Sequence, residues 1–322
     1  MGTARALMGY GIWYFLISGT RTLTGQAVPL LIGARLGVGL VTPYSIASRL
    51  VGYAGGVVVA GSGVLTPVAT TLHAEGSVDR QRQLFVEGGK YCLALSLYVT
   101  TVFVLLGRGL IVAWLGPGMA SAVGLLAIIA VGEALPMSQW ITHGVILGMG
   151  RHKPLAAANL VETALAVPLA AALCGRYGLA GVCVAFAVPA TLCRGLFQLV
   201  YGCRLVGVSP TAYLRGAVVP ALAAASVPAG MLWAALAWSP PSTTSGSLFF
   251  GTCYSLIYGL CSVASLVGFK SAVGLVTRFR LRSIDGRVHR VGGGTVEAIP
   301  EDAVEALSDS PEPVVFGAHP EG

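Results

Sequence analysis

Long apolar runs recur along most of the chain, and they constrain the fold more than any other feature of the sequence. Several runs reach 18 or more residues, the length that a helix needs to cross a bilayer core. Hydrophobic residues make up 55% of the 322 residues, charged residues only 10%, and the mean hydropathy is +0.79. Because lipid-exposed backbone must satisfy its own hydrogen bonds, the runs predict an all-α polytopic membrane protein. A transmembrane barrel would show short alternating segments instead.

The apolar runs predict about eight transmembrane helices. Their approximate bounds are residues 8–33, 38–72, 89–113, 119–148, 154–174, 178–203, 216–238 and 248–275. The second run is too long for a single crossing of the bilayer. We therefore expect it to tilt, to project into the cytoplasm, or to break near Pro43 or Pro67.

The charges of the loops predict the orientation of the spans. Arg and Lys occur in alternate connections, namely 73–90, 150–154, 204–215 and the segment around the end of the last span. The turns near residue 117 and over 239–247 carry no charge. This alternation follows the positive-inside rule and predicts a multi-pass protein of the cytoplasmic membrane with both termini in the cytoplasm. Residues 276–322 become acidic and rich in Gly and Pro, which predicts a disordered cytoplasmic tail.

Ionisable residues inside the predicted spans are the candidate functional residues. A charge at the bilayer centre costs at least ~2.5 kcal/mol, so such residues usually face a bundle interior or a wet cavity. The five are Arg21, Arg49, Glu133, Glu162 and Arg194. Glu162 and Arg194 are expected at similar depths, which favours a structural ion pair between them.

Arg21 and Arg49 lie at comparable depths in the first two predicted spans. One of them can pair with Glu133, and a surplus positive charge then remains. Gln26 and several threonines accompany Arg21, so this span is expected to be shielded from lipid. Because a guanidinium binds phosphate bidentately, we predict a cavity in which Arg21, Arg49, Gln26 and Glu133 contact an anionic substrate. Simple pairing or snorkelling of the arginines is the alternative interpretation.

Several function classes lack a sequence signature. There is no Walker motif, no metal-ligand cluster, no nucleophile elbow and no selectivity-filter motif, so no cofactor, metal or nucleic-acid partner is expected and an enzyme is disfavoured. The seven cysteines lie in or beside apolar segments without a CxxC pattern, which is typical of small buried side chains.

Residues 147–190, "LGMGRHKPLAAANLVETALAVPLAAALCGRYGLAGVCVAFAVPA", resemble part of a known family. The features are a span ending in "LGMGRHKP", a span with Asn159 and Glu162, and "RYGLAGVCVAFAVP" leading directly into another span. The upstream "ARLGVGLVTPYSIASRLVGYAGG" is similar to the opening of the same region. Over about residues 8–215, the chain resembles the C-terminal half of bacterial polysaccharide (oligosaccharide) flippases, of the multidrug/oligosaccharidyl-lipid/polysaccharide exporter superfamily.

This resemblance implies one lobe of a V-shaped carrier with two six-helix lobes. It implies that residues 1–215 form the second lobe, that 216–275 add two transmembrane helices, and that 276–322 form the tail. The substrate of such a carrier is an undecaprenyl-pyrophosphate-linked oligosaccharide, taken from among the membrane lipids into a positively charged central cavity. The first lobe is missing from this sequence, so we expect a truncated product or a half that works with a separate N-terminal-lobe chain.

Three other interpretations stay open at the level of sequence. The chain is a small-solute or drug exporter of the same superfamily, a membrane-embedded glycosyl- or acyltransferase of the cell envelope, or a non-catalytic membrane scaffold. A transferase needs a catalytic acid or His beside a large extracytoplasmic loop, and the longest predicted loop on that side has about ten residues. A scaffold predicts that changes of Arg21 or Arg49 affect stability alone.

Overall fold

A computed structural model of the chain describes residues 2–63, 65–238 and 244–266, and helices dominate this part of the chain. No β-strand occurs among these residues. The α-helices are α1 (Gly2–Arg35), α2 (Val41–Gly63), α3 (Leu65–Ala74), α4 (Val78–Thr101), α5 (Gly107–Leu115), α6 (Ser121–Ser138), α7 (Trp140–Gly148), α8 (His152–Ala190), α9 (Gln198–Val206), α10 (Pro210–Tyr213), α11 (Val219–Trp238) and α12 (Thr244–Leu266).

Five helical stretches among the described residues are long and apolar enough to cross a membrane. They are Val38–Ala74, Val78–Leu115, Ser121–Gly148, His152–Val206 and Pro210–Trp238. Large apolar side chains remain exposed along them, including Tyr53, Val131 and Trp233, at 67%, 59% and 63% of their full accessible areas. Because water would penalise so much exposed apolar surface, length and composition together indicate a helical membrane protein.

Among the described residues, three π-helical segments interrupt the long stretches. They are Val102–Leu106 after α4, Thr191–Phe197 after α8, and Leu214–Val218 before α11. A π segment fits an extra residue into a helical turn and shifts the side chains that follow around the axis, which is why such segments are frequent at functional sites. The segment at Thr191–Phe197 carries Arg194 and is the one that matters for the candidate site.

Gly178 divides α8 into two helical halves. Its φ of 56° and ψ of −139° lie outside the helical region, and a positive φ favours glycine because it has no Cβ. Buried residues from both halves, among them Ala170 and Val182, share one apolar cluster, and a Cβ added to Gly181 would lie 2.6 Å from the Leu173 carbonyl oxygen. The two halves therefore fold back against each other at this residue.

The centre of the bundle is α6, which packs against α2, α4 and α8. The largest apolar cluster joins Val51 of α2, Val99 of α4, Leu126 and Ala130 of α6, and Cys183 of α8. Small residues on α6 allow close approach of its neighbours, as is usual where helices associate without a hydrophobic drive from water. Helix α1 packs mainly against α8, through Val28 and Ile32.

Helices α11 and α12 attach to the bundle through α4. The Tyr98 ring stacks on that of Tyr254 with centroids 5.5 Å apart, and its hydroxyl lies 2.6 Å from the Ser255 Oγ. The Tyr258 hydroxyl donates to the Ala94 carbonyl oxygen. Residues 267–275 of the last predicted span and the predicted tail, 276–322, lie outside the described residues.

Candidate functional site

A close contact between α6 and the second half of α8 positions the candidate site. Gly132 of α6 lies directly against Ala187 of α8, and a Cβ added to Gly132 would come 3.0 Å from the Ala187 Cα. The Thr191 hydroxyl donates both to the Gly132 carbonyl oxygen at 3.0 Å and to the Ala187 carbonyl oxygen at 2.9 Å. This contact brings the next residue of α6, Glu133, beside the π-helical segment that carries Arg194.

Arg194 bridges two carboxylates that come from different parts of the chain. Its Nε lies 2.9 Å from both carboxylate oxygens of Glu162, on the first half of α8. Its Nη1 and Nη2 donate to the two oxygens of Glu133 at 3.1 Å and 2.6 Å. Three helical segments are therefore held together by one guanidinium, in the bidentate geometry that distinguishes arginine from lysine. We call these three residues the Arg194 cluster.

The Arg194 cluster is largely removed from solvent. The side chains of Arg194, Glu133 and Glu162 retain 23%, 27% and 12% of their full accessible areas. Partial burial strengthens the attraction between the charges, but it also removes their hydration. The three described residues carry two negative charges and one positive charge.

A cavity of about 500 Å³ opens beside the Arg194 cluster. This volume lies within the usual range of ligand pockets. Its wall is built by α1, α2, α6, the first turn of α7, both halves of α8 and the π-helical segment. Besides the cluster, the polar and aromatic residues of the described wall are Thr20, Thr24, Tyr44, Ser48, Trp140, Asn159, Thr163 and Phe186. The hydroxyls of Thr24 and Thr163 lie 2.9 Å apart and join α1 to α8 at its edge.

One part of the cavity wall has no side chains. Gly52, Gly55 and Gly56 of α2 all line the cavity. A Cβ added to Gly52 or Gly56 would meet no atom within 4 Å, so these positions leave room for a ligand rather than for a packed neighbour. The polar residues of the wall, including Tyr44 and Ser48 earlier on α2, therefore share the cavity with a stretch of bare helical backbone.

A second cavity of only about 20 Å³ lies on another side of the cluster. Arg194, Asn159 and Trp140 line both cavities, and His143 and Gln198 belong to the small one alone. Nearby, the Gln198 amide donates to the Gln139 carbonyl oxygen at 3.0 Å, and the Thr142 hydroxyl donates to the Gln139 side chain at 3.0 Å. The small cavity has room for one water molecule among polar groups.

The structure brings three of the six predicted residues together and separates others. Glu133, Glu162 and Arg194 line the 500 Å³ cavity. Arg49 is exposed and forms no ion pair with another described residue, and Gln26 is exposed as well. Neither of them belongs to the described wall of the cavity. The side chain of Arg21 lies outside the described residues.

Several wall residues were not among the sequence-predicted site residues. Two of them, Asn159 and Thr163, share one face of α8 with the predicted residue Glu162, because the three are spaced i, i+4 and i+3. That spacing was a usable signal, because three polar residues on one face of an apolar helix indicate a lined cavity or a polar partner. No comparable sequence pattern predicts that Ser48 and Trp140 line the cavity, because the orientation of their side chains depends on tertiary packing.

The described part of the chain contains no cluster of side chains typical of a metal site. Within the described ranges, no group of three or more His, Cys, Asp and Glu side chains is arranged to hold a metal ion.

The models of known protein families do not match the chain, and no curated protein is significantly similar to it.

Proposed function

We propose that the chain is part of a carrier that moves an undecaprenyl-pyrophosphate-linked oligosaccharide across the cytoplasmic membrane for the synthesis of cell-surface polysaccharide. The observation that carries this proposal is the 500 Å³ cavity with the Arg194 cluster in its wall, inside an otherwise apolar helical bundle. Ionisable residues within membrane helices are costly, and they usually mark the path of a substrate or an ion. A helical bundle whose interior serves packing alone has no need for a cavity of this size lined by ionisable residues.

Arg49 supplies the second element of the proposal. It lies about 12 Å along α2 from Val41, the first residue of that helix, and it is exposed. An exposed guanidinium at such a depth is stabilised by an anion, and pyrophosphate suits its planar fork. In the proposed arrangement, Arg49 meets the pyrophosphate on the surface that faces a second lobe, which a separate partner chain supplies. Gln26 on α1, which is exposed as well, belongs to the same proposed surface.

The proposed topology has eight crossings, with both termini in the cytoplasm. The break at Gly178 supports counting His152–Val206 as two crossings, because 55 helical residues extend about 80 Å and a bilayer core spans about 30 Å. Helices α1 and α12, at 34 and 23 residues, are each long enough to add one. The basic residues in the first turns of α4 (Arg80 and Arg82) and around the start of α8 (Arg151 and Lys153) support a cytoplasmic position for these helix ends.

Native mass spectrometry of the purified chain tests the proposal without requiring the partner. We expect the chain in detergent to retain added undecaprenyl-pyrophosphate-linked oligosaccharide in preference to phosphatidylglycerol. Arg49→Gln should weaken this retention by about tenfold, the effect of losing one charge-assisted hydrogen-bonding group. Arg108→Gln is the matched control, because Arg108 is also exposed but lies near the end of a different helical stretch. Equal retention of the two lipids would contradict the proposal.

A small-solute exporter of the same superfamily is the second candidate function. It is favoured by the two carboxylates of Glu133 and Glu162 in the cavity wall, because carboxylates are the groups that attract a cationic solute. The same mass-spectrometric measurement separates the two candidates. An exporter of this kind would retain a lipophilic cation such as tetraphenylphosphonium and would show no preference for the lipid-linked glycan.

A further inference from the structure

We infer that the end of the bundle where α4, α9 and the π-helical segment Leu214–Val218 meet binds the headgroup of a phospholipid with two phosphates, such as cardiolipin. The arginines that carry this inference do not belong to the described wall of the 500 Å³ cavity. The inference therefore goes beyond the proposed function, because it assigns a second lipid ligand to a different surface of the molecule.

An apolar cluster holds the helix ends together at this site. Its buried members include Phe85 of α4, Val145 of α7, Cys203 of α9 and Tyr213 of α10. The rings of Phe85 and Tyr213 pack with their centroids 5.3 Å apart. This packing brings together the first turns of α4, the last turn of α9 and the residues before α11, which are far apart in sequence.

Four exposed arginines surround this apolar cluster. Each lies within three residues of a member of the cluster or of a side chain packed against it, and they are Arg82, Arg151, Arg204 and Arg215. The Nε of Arg82 donates to the Val206 carbonyl oxygen at 3.2 Å, which fixes this guanidinium beside the end of α9. The other three arginines form no ion pair with another described residue.

The acidic residues of the adjoining segments do not neutralise these arginines. Among the described residues they are Glu75, Asp79 and Glu87. Asp79 contacts Arg82 at 3.3 Å, and Glu87 contacts the largely buried Lys90 at 2.7 Å. Positive charge is therefore in excess at this end, and a guanidinium binds a phosphate group bidentately. Because the arginines come from separate helix ends, a ligand with two phosphates can engage more of them than a ligand with one.

The surface beside the arginines is apolar, which favours a lipid over a soluble anion. Val200 is exposed and lies one turn before Arg204 on α9. Val219 and Leu222 follow Arg215 at the start of α11, and both are exposed. On both helices a guanidinium therefore adjoins an exposed apolar surface, which matches a phosphate joined to acyl chains. Basic sites between membrane helices bind cardiolipin headgroups in this way.

Native mass spectrometry of the purified chain in detergent, with added phospholipids, tests this inference. We expect cardiolipin to be retained more strongly than phosphatidylglycerol, which has one phosphate, and far more strongly than zwitterionic phosphatidylethanolamine. The double variant Arg204→Gln/Arg215→Gln should weaken the retention of cardiolipin by about tenfold or more, because two charge-assisted contacts are lost. Both arginines are exposed, so the fold of the variant should be unaffected.

Arg108→Gln/Arg176→Gln is the matched control. It also removes two exposed arginines, but Arg108 lies near the far end of the stretch Val78–Leu115, and Arg176 lies beside the break of α8 at Gly178. Retention of cardiolipin should be the same in this control as in the wild type. Inorganic pyrophosphate at the same concentration as the lipid should not displace it, because pyrophosphate has no acyl chains to contact the apolar surface.

Four results would overturn the inference. They are equal retention of cardiolipin and either other phospholipid, unchanged retention by the Arg204→Gln/Arg215→Gln variant, an equal loss in the control, and displacement by inorganic pyrophosphate. The proposed function is judged separately, since the Arg204→Gln/Arg215→Gln variant should retain the undecaprenyl-pyrophosphate-linked oligosaccharide as the wild type does. Loss of that lipid together with cardiolipin would assign these arginines to the transported substrate and would also overturn the inference.

Discussion

Arg194 is the residue on which the candidate site depends, because it compensates two carboxylates from separate helical segments. Removing one partner from a buried ion pair costs about 3–5 kcal/mol, since the remaining charge is left without compensation. We expect Arg194→Gln to lower the free energy of unfolding by that amount. Replacing Glu133 by Gln in the Arg194→Gln background should recover part of the loss, because one uncompensated carboxylate is then absent.

Arg49→Gln is the matched control for this prediction. Arg49 is exposed and has no ion-pair partner within the described residues, so its replacement should change stability by no more than about 0.5 kcal/mol. Denaturant titration of both variants in the same detergent provides the comparison. Equal losses of stability for the two variants would show that the Arg194 cluster does not hold its helices together.

At this scale, sequence reasoning located the ionisable residues but not all of their contacts. Helix geometry converts residue number into depth, and depth placed Glu162 near Arg194. Depth does not give the rotation of a helix about its axis. The ion pair of Arg194 with Glu133 depends on the π-helical segment Thr191–Phe197 and on the contact of Gly132 with Ala187. No local sequence pattern predicts either of these two features. The exposure of Arg49 is likewise a consequence of packing.

The packing of α6 on α8 is the element-scale feature that forms the site, and Gly132 tests it. A Cβ at Gly132 would overlap that of Ala187, so Gly132→Ala should force the helices apart and destabilise the protein by about 1–3 kcal/mol. Gly124→Ala is the control on the same helix, since its Cβ would meet nothing within 4 Å. Alanine favours helix, so this control should be neutral or slightly stabilising.

Thermal unfolding followed by size-exclusion chromatography measures this difference. We expect Gly132→Ala to lose its monodisperse peak at a clearly lower temperature than the wild type, and Gly124→Ala at the same temperature or a higher one. Indistinguishable behaviour of the two variants would mean that α6 and α8 are not in close contact at Gly132, and the Arg194 cluster would then lose its geometric basis.

The elements were predictable to the extent that their apolar runs are uninterrupted. Runs such as 119–148 and 216–238 correspond to described helical stretches with bounds a few residues apart. The turn between the predicted spans 154–174 and 178–203 is harder to see, because only Gly178 leaves the helical conformation there. The π-helical segments are invisible to hydropathy, since an inserted residue changes the phase of a helix and not its composition.

On the scale of the whole molecule, the alternating loop charges predict opposite sides for successive connections. We expect alkaline phosphatase fused after Gly118, in the uncharged turn between α5 and α6, to be active because it lies outside the cytoplasm. The same enzyme fused after His152, beside Arg151 and Lys153, should be inactive. A fluorescent-protein fusion should show the reverse pattern. Equal activity at both sites would contradict the proposed topology.

The class of the molecule was the most predictable property, and its function the least. A chain with 55% hydrophobic residues and repeated apolar runs has few alternatives to a helical membrane protein. The five helical stretches within the described ranges that are long and apolar enough to cross a membrane agree with that class. Which substrate binds depends on a cavity lined by residues far apart in sequence, such as Ser48, Glu133 and Asn159. Only the fold brings these residues together.

The sidedness of the lipid-linked oligosaccharide in the host membrane tests the central claim most directly. In cells that lack the chain, we expect undecaprenyl-pyrophosphate-linked oligosaccharide to accumulate in the cytoplasmic leaflet, where a lectin or glycosidase reaches it only in inside-out vesicles. The wild-type chain should restore exposure on the outer leaflet, and a cavity-filling Gly56→Leu chain should not. An unchanged distribution between the leaflets after loss of the chain would contradict its proposed role in translocation.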